Sequence, residues 1–158
     1  MFDLELEFDS VRAALSAAEI EYALCGGLAV GVLGFARSTI DIDLLIKPGD
    51  EARVYDVVAP LGFTVKAMPM NFDLGATQIR RVSKIDATDG EVLMLDLLLV
   101  TPALENVWDT RERLLWRDRE LWVVSAEGLI AMKRRRSSPM DLADIEKLEN
   151  LLRKPPEE

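Results

Sequence analysis

The chain contains no histidine. That absence removes Ser-His-Asp and Cys-His relays, histidine-ligated zinc and any imidazole base, so proton handling falls to carboxylates, lysine, tyrosine or bound water. A single cysteine, Cys25, excludes an internal disulfide, and its apolar surroundings read as a small core residue rather than a nucleophile. No apolar run approaches the ~20 residues that a bilayer span needs. The first residues, Met1-Phe2-Asp3-Leu4-Glu5, are acidic where a leader peptide is basic. A cytoplasmic protein with no membrane partner is the expectation.

What is present suits a folded domain, with 49% apolar and 30% charged residues, well away from a disordered composition. At 158 residues the chain fits one domain, burying roughly 70% of the surface its unfolded form exposes. The net charge of −9 is unevenly spread: residues 1–100 hold 16 acids against 8 bases, whereas residues 111–136 hold 8 bases against 4 acids. Such a chain is a poor non-specific binder of nucleic acid, but a local basic surface can still guide a polyanion to a site.

Two stretches depart from a generic domain, Cys25-Gly26-Gly27-Leu28 and Asp41-Ile42-Asp43. Residues 22–25 read as a short apolar strand, which Gly26-Gly27 breaks ahead of an apolar helical segment at 28–33. Glycine lets backbone N–H groups approach a ligand closely, and a helix start adds unpaired donors and a positive dipole end, so the turn suits a phosphate. Residues 40–46 alternate as a strand, with Asp41, Asp43 and Leu45 on one face and Ile42, Leu44 and Ile46 on the other. Two carboxylates ~7 Å apart on one face repel unless a cation lies between them, and hard oxygen donors suit Mg²⁺ or Mn²⁺. Alone, the acids read as solvated edge residues and the glycines as a plain turn; together they are far more specific. A dinucleotide-binding unit shares the order of elements, but Gly26-Gly27-Leu28-Ala29-Val30-Gly31 lacks the G-x-G-x-x-G spacing, and the interval to Ile40 is too short for a crossover helix.

Elsewhere the pattern predicts a first helix capped by Asp9 or Ser10 with Phe8, Val11, Leu15 and Ala18 inward, a helix at 51–59, a strand at 63–66 and a loop at 68–72. Strands at 78–87 and 91–100 form a hairpin through Asp89-Gly90. A helix at 101–110, a hairpin of 113–116 with 121–124, a helix at 126–136 capped by Ser125 and a last helix on Leu142, Ile145, Leu148 and Leu152 follow. The domain reading is a single unit, with a core at 1–110, a hairpin-and-helix segment at 111–153 and a tail at 154–158. Asp96 interrupts the apolar run of what should be a central strand. A charge there costs several kcal/mol unless paired or metal-bound, so it is either half of an ion pair with an arginine such as Arg80 or part of a site.

The pair Gly26-Gly27, the gap of thirteen residues and Asp41-x-Asp43 resemble the nucleotidyltransferase superfamily of the DNA polymerase beta type. The gap is at the long end of that pattern, and Gly27 stands where many members carry serine, leaving phosphate contacts to the backbone. Further on, Leu129-Ile130-Ala131-Met132-Lys133 and Asp141-Leu142-Ala143-Asp144-Ile145 resemble AbiEii-type toxin-like nucleotidyltransferases, although Ser138 stands where many of those carry an arginine. The resemblance covers roughly residues 20–150. It implies an α/β (α+β) fold with a small mixed sheet, and transfer of a nucleoside monophosphate from an NTP to an acceptor hydroxyl. Asp41, Asp43 and Asp96 would be the catalytic and metal-holding acids for Mg²⁺ or Mn²⁺. Gly26, Gly27, Arg37 and Lys133 would bind nucleotide. Arg37 also reads as a solvated loop residue, and Lys133 to Arg136 as a solvated helix end. The acceptor would be RNA, protein or a small molecule, and the partner an antitoxin-like protein of a toxin–antitoxin or phage-defence pair. The alternatives are an inactive module of the same fold that binds a partner, and a purely structural metal or ion-pair cluster.

Overall fold

The structure, a computed structural model, describes residues 1–35, 39–136 and 138–153, and of Arg136 only the backbone. Arg37 and the tail at 154–158 therefore lie outside the described residues. The chain order is α1 (Leu4–Ala17), β1 (Ala23–Cys25), α2 (Gly26–Val32), β2 (Asp41–Ile46), α3 (Glu51–Val58), β3 (Val65–Lys66), β4 (Met70–Phe72), β5 (Thr77–Ile85), β6 (Val92–Leu99), α4 (Glu105–Asp109), β7 (Glu112–Trp116), β8 (Arg119–Val123), α5 (Ala126–Arg136) and α6 (Pro139–Arg153). Among the described residues the strands form one mixed sheet in the order β3-β5-β6-β2-β1-β8-β7, with β4 added beside β5.

The register places the site. β1 runs antiparallel to β2 with Cys25 opposite Asp43, β2 runs parallel to β6 with Asp43 opposite Asp96, and β5 runs antiparallel to β6 with Arg81 opposite Asp96. Paired residues share a sheet face, so Cys25, Asp43, Asp96 and Arg81 form one row across four strands. The intervening residues of β2 and β6, Ile42, Leu44, Ile46, Leu95 and Leu97, are 0% exposed and anchor the opposite face in the core. Full burial of side chains of this size contributes about 1.5–3 kcal/mol each, which fixes the register and with it the row of acids. The hairpin of β7 and β8 extends the same sheet through Leu24, which pairs with Val123. Its Arg117-Asp118 turn has positive φ at both residues (49° and 64°), the geometry of a tight two-residue hairpin turn.

Three expectations are corrected. The first helix begins at Leu4, not after Asp9 or Ser10: the Asp3 carboxylate accepts from the backbone N–H groups of Glu5 and Leu6, while Phe8, Val11 and Leu15 are buried as expected. Met70–Phe72 is a strand paired with Thr77, Gln78 and Ile79, not a loop. In α6, Ile145 and Leu148 are buried, but Leu142 and Leu152 are exposed and Asp141 and Asp144 take the inner face. No helix among the described residues is long and apolar enough to cross a membrane.

Candidate active site

β1 ends at Cys25 and α2 begins at once with the glycine pair. Gly26 has φ +67°, and a Cβ on it would lie 2.8 Å from Cγ and 2.9 Å from Cβ of Asp43. Glycine is thus required twice over, for its backbone conformation and because the turn closes onto the carboxylate on the neighbouring strand. Alanine in the left-handed region costs about 1–2 kcal/mol, and overpacking about 1–3 kcal/mol more. Gly26→Ala should therefore lower stability by about 2–5 kcal/mol in chemical denaturation; a loss under about 0.5 kcal/mol, the usual size for an inert surface change, would mean that neither the backbone conformation nor the packing against Asp43 constrains the turn.

Asp41 and Asp43 are partly buried on the same face of β2. Oδ1 of Asp41 is buried and has no hydrogen-bond partner among the described residues. Burial first, then the charge of Asp96, pushes the Asp41 carboxyl above the usual carboxylate range, and Arg81 partly offsets them. A carboxyl raised on folding stabilises the fold fully below its unfolded pKa and loses that contribution as pH rises through the folded value. The folded protein therefore disfavours the anionic form of Asp41, and a nearby cation would favour it.

Asp96 is 6% exposed and is gripped by Arg81, whose Nε donates to Oδ1 at 2.7 Å and whose Nη2 donates to Oδ2 at 2.9 Å. The ion pair expected for a buried aspartate forms, but not with Arg80. Neighbouring residues on a strand point to opposite faces, and Arg80 reaches Glu51 at 3.3 Å and Asn71 at 3.2 Å instead.

Lys133 is no solvated helix end: it is 4% exposed, with Nζ 3.1 Å from Oδ2 of Asp144 and 3.9 Å from Oδ1 of Asp141. Asp141 is also tied to the start of α6. The Ser138 hydroxyl donates to its Oδ2 at 2.7 Å and accepts from its backbone N–H at 3.1 Å. Ser138 thereby caps α6, a structural role at the position where the resemblance leads one to expect arginine.

One cleft of about 560 Å³ is lined by Gly26, Gly27, Asp41, Asp43, Asp96 and Lys133, together with Arg81, Arg135 and Asp73. Of the residues singled out in the sequence, all that the structure describes thus meet in one cavity. Arg81 was not among them.

Hard carboxylate oxygens suit Mg²⁺ or Mn²⁺, and the orphaned oxygen of Asp41 supplies a donor in need of a cation. Yet among the described residues no three side chains are drawn together closely enough to cage an ion, and both oxygens of Asp96 are engaged by Arg81. The donor set, Asp41, Asp43 and the arginine-held Asp96, fits a divalent ion in chemistry.

No protein-family model matches the chain, and no curated protein matches it by sequence. Solved structures do. The lincosamide antibiotic adenylyltransferase LnuA, solved with lincomycin bound, superposes with a TM-score of 0.63 at 16% identity, covering 92% of this chain and 96% of its own. The antibiotic-resistance factor ANT(2'')-Ia superposes in its solution structure with a TM-score of 0.64 at 16% identity over 93% of this chain and 83% of its own. Its complex with adenylyl-2''-tobramycin gives 0.61 at 16% identity, over 92% and 87%. The mixed sheet with its flanking helices is therefore the nucleotidyltransferase fold, shared with these enzymes nearly end to end.

Proposed function

We propose that the protein transfers a nucleoside monophosphate from an NTP to an acceptor hydroxyl and releases pyrophosphate. The observation that carries this reading is the meeting of Asp41, Asp43 and Asp96 with the Gly26-Gly27 turn in one cleft of the nucleotidyltransferase fold. The acceptor oxygen attacks the α-phosphorus, the bond to the bridging oxygen of the β-phosphate breaks, and its electron pair leaves on pyrophosphate. The acceptor proton passes to a cleft carboxylate or to water, since the chain has no imidazole. Asp41 and Asp43, with Asp96 once released, would hold Mg²⁺ or Mn²⁺, which when bound neutralises charge developing on the attacking and leaving oxygens. The backbone of Gly26 and Gly27 cradles the outgoing phosphates. Lys133, held by Asp144 and Asp141, and Arg37 add positive charge toward the triphosphate. Arg135 lines the same cleft and can take the place of the absent family arginine.

Acceptor class is a further part of the proposal. The solved neighbours are seen with lincomycin and with adenylyl-2''-tobramycin, and the near-complete mutual coverage with LnuA favours a small-molecule acceptor alongside the protein acceptor and the RNA that the basic stretch at 111–136 suggests. A toxin-like role with an antitoxin-like partner rests on the sequence resemblance alone, as does the alternative of an inactive partner-binding module.

Melting curves test the reading. Mg²⁺ together with a non-hydrolysable NTP should raise the melting temperature by about 5–10 °C, the size expected for a ligand at roughly a hundred times its Kd on a domain of this length, and by more than either does alone. Absence of a shift with ATP, GTP, CTP and UTP analogues at millimolar concentration would remove it.

A further inference from the structure

The acids of the cleft share their row with a cation. Cys25, Asp43, Asp96 and Arg81 stand side by side on β1, β2, β6 and β5, so Arg81 flanks Asp96 on the side away from Asp43. Its two donors engage both oxygens of Asp96, at 2.7 and 2.9 Å, in the forked geometry that makes arginine–carboxylate pairs strong and directional. The partners differ in freedom: the Asp96 side chain is 8% exposed, whereas that of Arg81 is 34% exposed and lines the cleft. The acid is fixed in the sheet and the arginine has room to leave it.

We propose that Arg81 is the resident counter-ion of this site: it holds Asp96 while no divalent ion is bound, and it must surrender at least one of its two bonds before Asp96 can serve a metal. The inference rests on the metal-site reading of the same acids. Arg81 then plays two opposed roles. Without metal it stabilises the fold by compensating a buried acid on a face that also carries Asp41 and Asp43. With metal it is a competitor, since the ion and the guanidinium seek the same oxygens. A neutral side chain at this position removes the cation from Asp96 and opens both its oxygens to a divalent ion. An ordinary structural ion pair would predict the loss of stability but no gain in metal binding.

The test compares wild type with Arg81→Met by titration with Mn²⁺ alone, free Mn²⁺ being read by electron paramagnetic resonance, and by melting with and without Mn²⁺. Arg81→Met should melt lower without metal, bind Mn²⁺ about tenfold or more tightly, as expected when a positive charge within ~4–6 Å of a ligand is removed, and recover most of the lost melting temperature at saturation. Should Arg81→Met not fold, Arg81→Lys serves instead: one ammonium cannot reproduce the fork, so affinity should still rise, by a smaller factor. Wild type that binds Mn²⁺ beside a variant that binds no tighter would overturn the role of Arg81. Failure of wild type and variant alike to bind Mn²⁺ would overturn the metal-site reading beneath it.

Discussion

Replacing Asp43 with asparagine should lower nucleotide transfer by about two to three orders of magnitude while leaving the protein folded. Asp43 stands in the row between Cys25 on β1 and Asp96 on β6, with the Gly26 turn packed against it. Asparagine keeps its shape, so that packing survives. What disappears is a negative charge and, on the proposed reading, one metal ligand acting mainly on the transition state; losses of about 10² to 10³ are typical when such an electrostatic contributor is removed. The measurement is the transfer rate beside the metal-free melting temperature. A fall of less than tenfold would take Asp43 out of the reaction.

The largest loss of stability is expected from Lys133→Met, about 3–5 kcal/mol, the range for removing one member of a buried ion pair. Asp141 and Asp144 are 1% and 2% exposed, and the ammonium between them joins α5 to α6. Methionine fills the space but supplies no charge. Asp144→Asn added to Lys133→Met should restore part of the loss, because it removes an acid left behind, and a double-mutant cycle measures the coupling. Denaturation curves that place Lys133→Met within 1 kcal/mol of wild type would show that the triad does not hold the helices, and would leave Lys133 a ligand-facing residue alone.

The parts of the site that lie close together in the chain were readable from the sequence. The period-two alternation at residues 40–46 is strong because one face is wholly apolar, so Asp41 and Asp43 could be assigned to the other face. Asp96 announced itself by interrupting an apolar run. Arg81 could not be found in this way, because its meeting with Asp96 depends on the loop between β5 and β6. A two-residue turn at Asp89-Gly90 would have set Ser83 opposite Asp96. The actual connection is wider, closed by hydrogen bonds from the N–H groups of Asp86 to the Glu91 carbonyl and of Gly90 to the Asp86 carbonyl, each 2.8 Å, and it brings Arg81 there instead. The inner face of α6 escaped for a different reason. Apolar periodicity sees Leu142 and Leu152 but not a buried lysine that makes Asp141 and Asp144 inward residues. β4 escaped because three residues after a proline carry too little pattern, and only their ladder to β5 defines them.

The central claim, nucleotidyl transfer by the acids of this cleft, is tested most directly by following label from the α-phosphate of each NTP. The protein is incubated with Mg²⁺ or Mn²⁺ and with RNA, protein and aminoglycoside or lincosamide acceptors, and pyrophosphate is measured in the same reaction. The account predicts label on one acceptor class, an equal amount of pyrophosphate, an absolute need for the divalent ion, and loss of both signals in Asp43→Asn. Folded wild-type protein that moves no label and releases no pyrophosphate with any NTP, or an Asp43→Asn variant that transfers as well as wild type, would contradict it.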